Sequence, residues 1–129
     1  MGEKYLIDTN IISKLFEGTL PENALNLLAN LTTIEQHISV INRIELLSWK
    51  ELKGDKLSDM KSFLQEIMEL DLSDEVIERT IKIRRGRSIK LPDAIIAASA
   101  IVHNLTLLSD NDKDFKSISG LKYVNPTKL

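Results

Sequence analysis

Short apolar runs alternate along this chain with segments whose apolar residues recur at helical spacing. Tyr5-Leu6-Ile7 predicts a short buried strand that ends at Asp8. Helical stretches are predicted near Ile11 to Phe16 and again after Pro21, a residue suited to a first helical turn. In the second stretch Ala24, Leu25, Leu28 and Leu31 share one face. His37 to Val40 reads as a second strand and Asn42 to Trp49 as a helix. Leu57, Met60, Phe63, Leu64, Ile67 and Met68 fall at strongly helical spacing, with a third strand around Met68 to Leu72. Ser73 is placed to cap a helix carrying Val76, Ile77 and Ile81. Pro92 opens a very apolar helix that runs through His103. Thr106-Leu107-Leu108 and Lys122-Tyr123-Val124 read as the last two strands.

Strands separated by helices imply an α/β domain with a parallel sheet covered on both faces. In such sheets the functional groups gather beyond the carboxyl ends of the strands. The 129 residues fit one domain, spanning 1–129, large enough to enclose a core. Composition narrows the chemistry by exclusion. There is no cysteine, so neither a disulfide nor a thiolate metal site is available. No Gly-rich phosphate loop occurs, which argues against a nucleotide-binding enzyme. The segment from Met1 to Leu6 lacks a signal-peptide pattern. The apolar run from Ala94 to Val102 is far short of the ~20 residues a membrane span needs. The expectation is a cytoplasmic protein with no membrane association. A net charge of −2 gives no general pull on nucleic acid, so that reading rests on the local cluster Lys82, Arg84, Arg85, Arg87 and Lys90. A solvated helix end is the competing account of those cations.

Four acidic places follow predicted strands or open predicted helices. Asp8 ends the first strand, where it could cap the next helix. Glu45 lies three residues after Asn42, the spacing of a capping box with Asn as the cap. Asp93 stands in the first turn of the apolar helix, where a charge bordering a buried region needs a partner. The run Ser109-Asp110-Asn111-Asp112-Lys113-Asp114 lacks the glycine and closing glutamate of an EF-hand and reads as a polar turn. One carboxylate from it is expected to face the others, and spacing alone leaves open which. Two like charges ~5 Å apart at an effective dielectric of about 20 repel by about 3 kcal/mol. A hard divalent cation such as magnesium or manganese relieves that repulsion, and two ions can promote phosphodiester cleavage. His37 and His103 neighbour none of these acids, so a histidine-based mechanism is not expected. Trp49 reads as a packing anchor.

These residues also carry a family likeness. Leu6-Ile7-Asp8-Thr9-Asn10-Ile11-Ile12-Ser13 resembles the opening motif of PIN domains of the VapC toxin type. The segments Ser39 to Leu46, Gly86 to Ala100 and Leu107 to Phe115 resemble the family's second, third and fourth motifs in order. The resemblance implies a three-layer α/β/α sandwich and RNA cleavage that depends on Mg2+ or Mn2+, with one or two ions. It implies that Asp8, Glu45, Asp93 and Asp114 are the catalytic, metal-holding carboxylates. Asp114 is preferred over the neutral Asn111 as the fourth member, and Asp112 stays open. Thr9, Asn10, Ser109 and Asn111 would support that set, and Arg84, Arg85, Arg87 and Lys90 would contact RNA phosphates. Asn42 and Ser109 stand where the family commonly has Thr. The likeness further implies a toxin with a cognate antitoxin protein, acting as a homodimer. A non-catalytic PIN-fold module that binds RNA or protein is the alternative. A phosphoacceptor receiver fits poorly, since the nearest acceptor, Asp55, lies in a polar turn beside Gly54. A haloacid-dehalogenase-like phosphatase would want an Asp where Asn10 stands.

Overall fold

Leu6 and Ile7 are adjacent in sequence yet buried in two different cores, because successive strand residues point to opposite faces. They belong to β1 (Tyr5–Ile7), the centre of a five-stranded sheet in the computed structural model, which describes residues 3–129. Met1 and Gly2, included in the predicted domain and opening segment, lie outside the described residues. The other strands are β2 (Gln36–Ser39), β3 (Met68–Leu70), β4 (Thr106–Leu108) and β5 (Lys122–Val124). Their order is β3-β2-β1-β4-β5, and every pairing is parallel. Leu6 pairs with His37 on one side and Leu107 on the other.

Helices cover both faces. Ile7, Ile38 and Leu108 meet α1 (Thr9–Glu17), α2 (Glu22–Ala29), α3 (Val40–Leu47) and α4 (Gly54–Gln65) through Ile11, Ile12, Ala24, Leu46, Met60 and Leu64. On the other face Leu6 and Leu107 meet α5 (Asp74–Gly86), α6 (Leu91–Val102) and the short α7 (Asp112–Phe115). Seven consecutive residues of α6, Ala94 to Ala100, are buried. The α/β/α sandwich is therefore present, with β1 and β4 side by side at its middle. The chain leaves β1 toward β2 and β3, then returns past β1 to β4 and β5. That reversal opens a crevice beyond the carboxyl ends of β1 and β4. No helix of the described residues is long and apolar enough to cross a membrane.

Two local expectations are corrected, the start of α3 and the buried face of α2. The helix expected at Asn42 begins at Val40, with Ser39 as its cap. Ser39 and Asn42 form the capping box, with the Asn42 side chain accepting from Ser39 N at 2.8 Å. Glu45 is thereby released from any capping role. In α5 the buried positions are Val76, Thr80 and Ile83, and Ile77 and Ile81 lie 38% and 47% exposed on the outside. The buried Thr80 hydroxyl is satisfied by donating to Val76 O at 2.7 Å. In α2 only Ala24 of the expected face is fully buried, while Leu25 is exposed. Asp55 lies in the first turn of α4. Trp49 packs against the core shared by α1 to α4. Removing the α3 cap with Ser39→Ala is expected to lower stability by about 1 kcal/mol, read as a reduced urea midpoint at unchanged slope.

Candidate functional site

The crevice is built from the ends of elements. Asp8 leaves β1 in extended conformation and caps α1, accepting from Thr9 N at 2.8 Å. Its second oxygen accepts from the Ser109 hydroxyl at 2.9 Å, just beyond β4. Asn10 and Asn42 approach it from α1 and α3, each with a side-chain N–H 3.4 Å away. Asp8 is only 5% exposed, and no cationic side chain is among these partners. Burial raises its carboxyl to about 6 against the pull of Ser109 and Thr9, with Asp93 and Glu45 pushing the same way.

Asn42 is completely buried and links two acids. Its amide donates to Thr9 Oγ1 at 3.0 Å, and Thr9 in turn donates to Glu45 Oε1 at 2.7 Å. Glu45 is thus oriented by a hydroxyl from α1 while staying on the exposed side of α3. Sequence reasoning gave Asn42 a capping role only. Its side chain does both, since the oxygen serves the Ser39 cap and the N–H2 group faces the acids.

Asp93, in the first turn of α6, is half-buried and shares a hydrogen bond with Asp114 of α7. Burial, that bond, and the charges of Asp114 and Glu45 raise its carboxyl to about 6, and Lys90 opposes them. Asn111 caps α7, accepting from Asp114 N, and its own amide donates to Asp114 Oδ2 at 2.8 Å. Asp112 faces elsewhere. It accepts from Tyr123 at 2.6 Å and Asn125 at 3.1 Å and pairs with Lys128, which holds its carboxyl well below the usual range. Asp110 pairs with Lys14 of α1, tying that helix to the loop after β4. Of the acidic run only Asp114 turns toward Asp93.

The expected cations divide. Arg84 Nε donates to Ile89 O at 3.3 Å and closes the turn between α5 and α6. Arg85 is exposed on the outer side of α5. Arg87 turns the other way and donates to Ser117 at 3.2 Å, and Lys90 stands near Asp93. His37 is buried within β2 and His103 is exposed after α6, neither in contact with the acids listed above.

Asp8, Glu45, Asp93 and Asp114 therefore act on one another from four separate elements. Among the described residues no three acidic or histidine side chains close around a single point as an ion-binding ring. The arrangement is an open one, in which Asp93 and Asp114 lie together beside the buried Asp8 and the exposed Glu45. Every charged donor in it is an oxygen, and the nearby neutral groups are hydroxyls and amides. That donor set fits a hard divalent cation and offers nothing to a soft one.

The chain matches the family model described as PIN domain over residues 5–121. No curated protein sequence matches it at a significant level. Among solved structures it is similar to a chain of a toxin–antitoxin complex from Klebsiella pneumoniae, with 32% identity and a TM-score of 0.80, covering 95% of this chain and 98% of that one. It is similar to a chain of VapBC2 from Rickettsia felis bound to a promoter DNA fragment, with 29% identity and a TM-score of 0.77, covering 94% and 97%. FitAcB from Neisseria gonorrhoeae gives 26% identity and a TM-score of 0.82, covering 97% and 99%. With the family model spanning nearly the whole sheet and all four acidic positions, this chain belongs to the PIN domain family and resembles its VapC-type members.

Proposed function

We propose that this protein is a metal-dependent endoribonuclease that hydrolyses RNA phosphodiester bonds, the toxin of a toxin–antitoxin pair. One observation carries the reading. Asp8 and Asp93 are each raised to about 6, partly by other acids of the same centre, with Lys90 the one cation among the causes. A like-charge cluster around a buried carboxylate costs stability, and a bound cation would relieve that cost.

Asp8, Glu45, Asp93 and Asp114 would hold one or two Mg2+ or Mn2+ ions. Bound there, the ions would supply an activated water and charge neutralisation on the phosphodiester. The protein's own contribution is orientation. Ser109 and Thr9 N fix both Asp8 oxygens, Thr9 aims Glu45, and Asn111 aims Asp114. Asp93, raised to about 6, would have to lose its proton to hold a cation, so affinity should rise with pH.

The antitoxin reading is supported by the toxin–antitoxin complexes named above and by a groove of about 350 Å3 between α1, α2 and α4. Ile12, Leu15, Leu25, Leu28 and Phe63 line it, so an apolar segment of an antitoxin could lie there. A homodimer is supported by Ile77 and Ile81, exposed on the outer face of α5 with Leu72 and Leu91 nearby in sequence. A cytoplasmic location accords with a cysteine-free chain acting on RNA.

The purified protein should cut a mixed RNA substrate with Mg2+ or Mn2+ and leave it intact in a chelator. RNA bound but uncut in both ions would replace this reading with a non-catalytic binding module.

A further inference from the structure

Arg79, Lys82, Ile83 and Gly86 recur at the spacing of one helical face and form one wall of a cavity of about 370 Å3 beside α5. Arg87 continues that wall, and Ser117, Ile118 and Ser119 of the turn after α7 form the other. No acidic residue lines it. Both arginines reach across. Arg87 donates to Ser117 at 3.2 Å, and Arg79 Nη1 lies 3.9 Å from where a Cβ on Gly120 would stand. Among the described residues neither Arg79, Lys82 nor Arg87 makes a salt bridge. Arg87 Nε is buried in this wall with no acceptor, a donor the fold leaves unmet. Gly86 adds bare backbone with no atom within 4 Å of an added Cβ. Arg79 and Lys82 also border a second groove along α5, where Asp74, Glu75 and Glu78 stand with them.

Three unpaired cations, an orphaned guanidinium N–H and two serine hydroxyls make an oxyanion site with planar, bidentate donors. We propose that this cavity binds a backbone phosphate of the RNA, one displaced along the strand from the bond that is cut. This inference rests on the ribonuclease reading and adds to it a second anchoring point. Its position supports the assignment. Ser117 lies three residues after Asp114 in the turn that follows α7, and Arg87 lies in the short loop that leads to Asp93, so both walls of the cavity are joined along the chain to the acidic centre. The anchor would fix the strand's path while the carboxylates act on a neighbouring phosphate.

The test is binding of a fluorescent single-stranded RNA in chelator, where no cutting confuses the signal, measured against salt concentration. Arg79→Ala and Arg87→Ala should each weaken binding about 5- to 30-fold and lower the salt slope by about 0.7 to 1. Ser117→Ala should weaken binding with the slope kept, and Arg87→Lys should restore most of the slope. Lys56→Ala, an exposed cation of α4, serves as the control with a smaller effect. Inorganic phosphate is titrated in parallel as competitor. Weak competition, in the high millimolar range, supports the RNA assignment. Tight phosphate binding with no RNA dependence on Arg79 or Arg87 would make this a free-phosphate site and overturn it. Unchanged affinity and slope in both arginine variants, from a protein that still cuts RNA in Mg2+, would overturn the anchor and leave the nuclease standing. Wild-type protein that neither binds nor cuts RNA would remove both.

Discussion

Asp93→Asn is expected to lower RNA cleavage by about 10²–10³-fold or more while raising the melting temperature of the metal-free protein. The two effects share one cause. Asp93 and Asp114 sit within hydrogen-bond reach, and Glu45 adds repulsion from α3. An asparagine keeps the shape and can donate an N–H to Asp114, so the folded protein loses a like-charge contact. The same exchange removes a charged oxygen from the centre that must hold a divalent cation, and losses of that size are usual when a reaction-centre group is deleted. For a domain of this size each kcal/mol gained corresponds to roughly 3–6 °C. Thermal scans in chelator and initial cleavage rates in Mg2+ read the two effects separately. A variant that is both less stable and still active would break the link.

The second large effect is a pH dependence with an unusual sign. Burial holds the Asp8 carboxyl at about 6 in the fold, against 3.8 in the unfolded chain. Between those values the native state holds a proton that the unfolded chain has lost. Stability is therefore fully present below about pH 4 and falls as pH rises through 6. A displacement of about 2 units corresponds to about 3 kcal/mol for this buried group. Asp93 works in the same direction, screened by its exposure to water. His37 works against them, because burial lowers its pKa and its stabilising effect grows as pH rises. Asp112 matters only at the acid end, since its depressed carboxyl loses stabilisation as pH falls. The difference between wild type and Asp8→Asn isolates the Asp8 contribution. Urea melts in chelator should show wild type losing ground to Asp8→Asn from pH 4 to 6 and holding that deficit above it, and Mg2+ at pH 7 should reverse the order. A flat difference across that range would mean that Asp8 carries no such burden.

The sheet was readable because its signals are local. Tyr5-Leu6-Ile7 and Thr106-Leu107-Leu108 are short, mostly apolar runs that end at the polar residues Asp8 and Ser109, the pattern of a strand buried on both faces. The start of α3 was misread for an equally local reason. Both Ser39 and Asn42 can cap, and the spacing Asn42 to Glu45 imitates a capping box. Tertiary structure decides between them, since extending β2 through Ser39 leaves Ser39 as the first residue able to cap. The α5 helix and its Ser73 cap were legible, but its buried face was not, because Ile77 and Ile81 outrank Thr80 in hydrophobicity and only the fold shows that Thr80 is satisfied inside.

The acidic positions were legible as strand-end and helix-start residues, and the family motifs singled out the same four. Their mutual influence was not legible, because Asp8, Glu45, Asp93 and Asp114 come together only through the crossover between β1 and β4. Asn42 as a link from Asp8 to Thr9 was invisible for the same reason. So was the separation of the basic run, where helical rotation sends Arg85 outward and the turn into α6 sends Arg87 toward Ser117.

Calorimetric titration of Mn2+ at pH 6, repeated in buffers of different ionisation enthalpy, counts the protons expelled on binding. Two carboxyls poised near that pH should together release about one proton per bound protein, and Asp93→Asn should bind far more weakly and release fewer. Binding with no proton release, at an affinity untouched by changing Asp8 or Asp93, would contradict a cation-holding role for this centre.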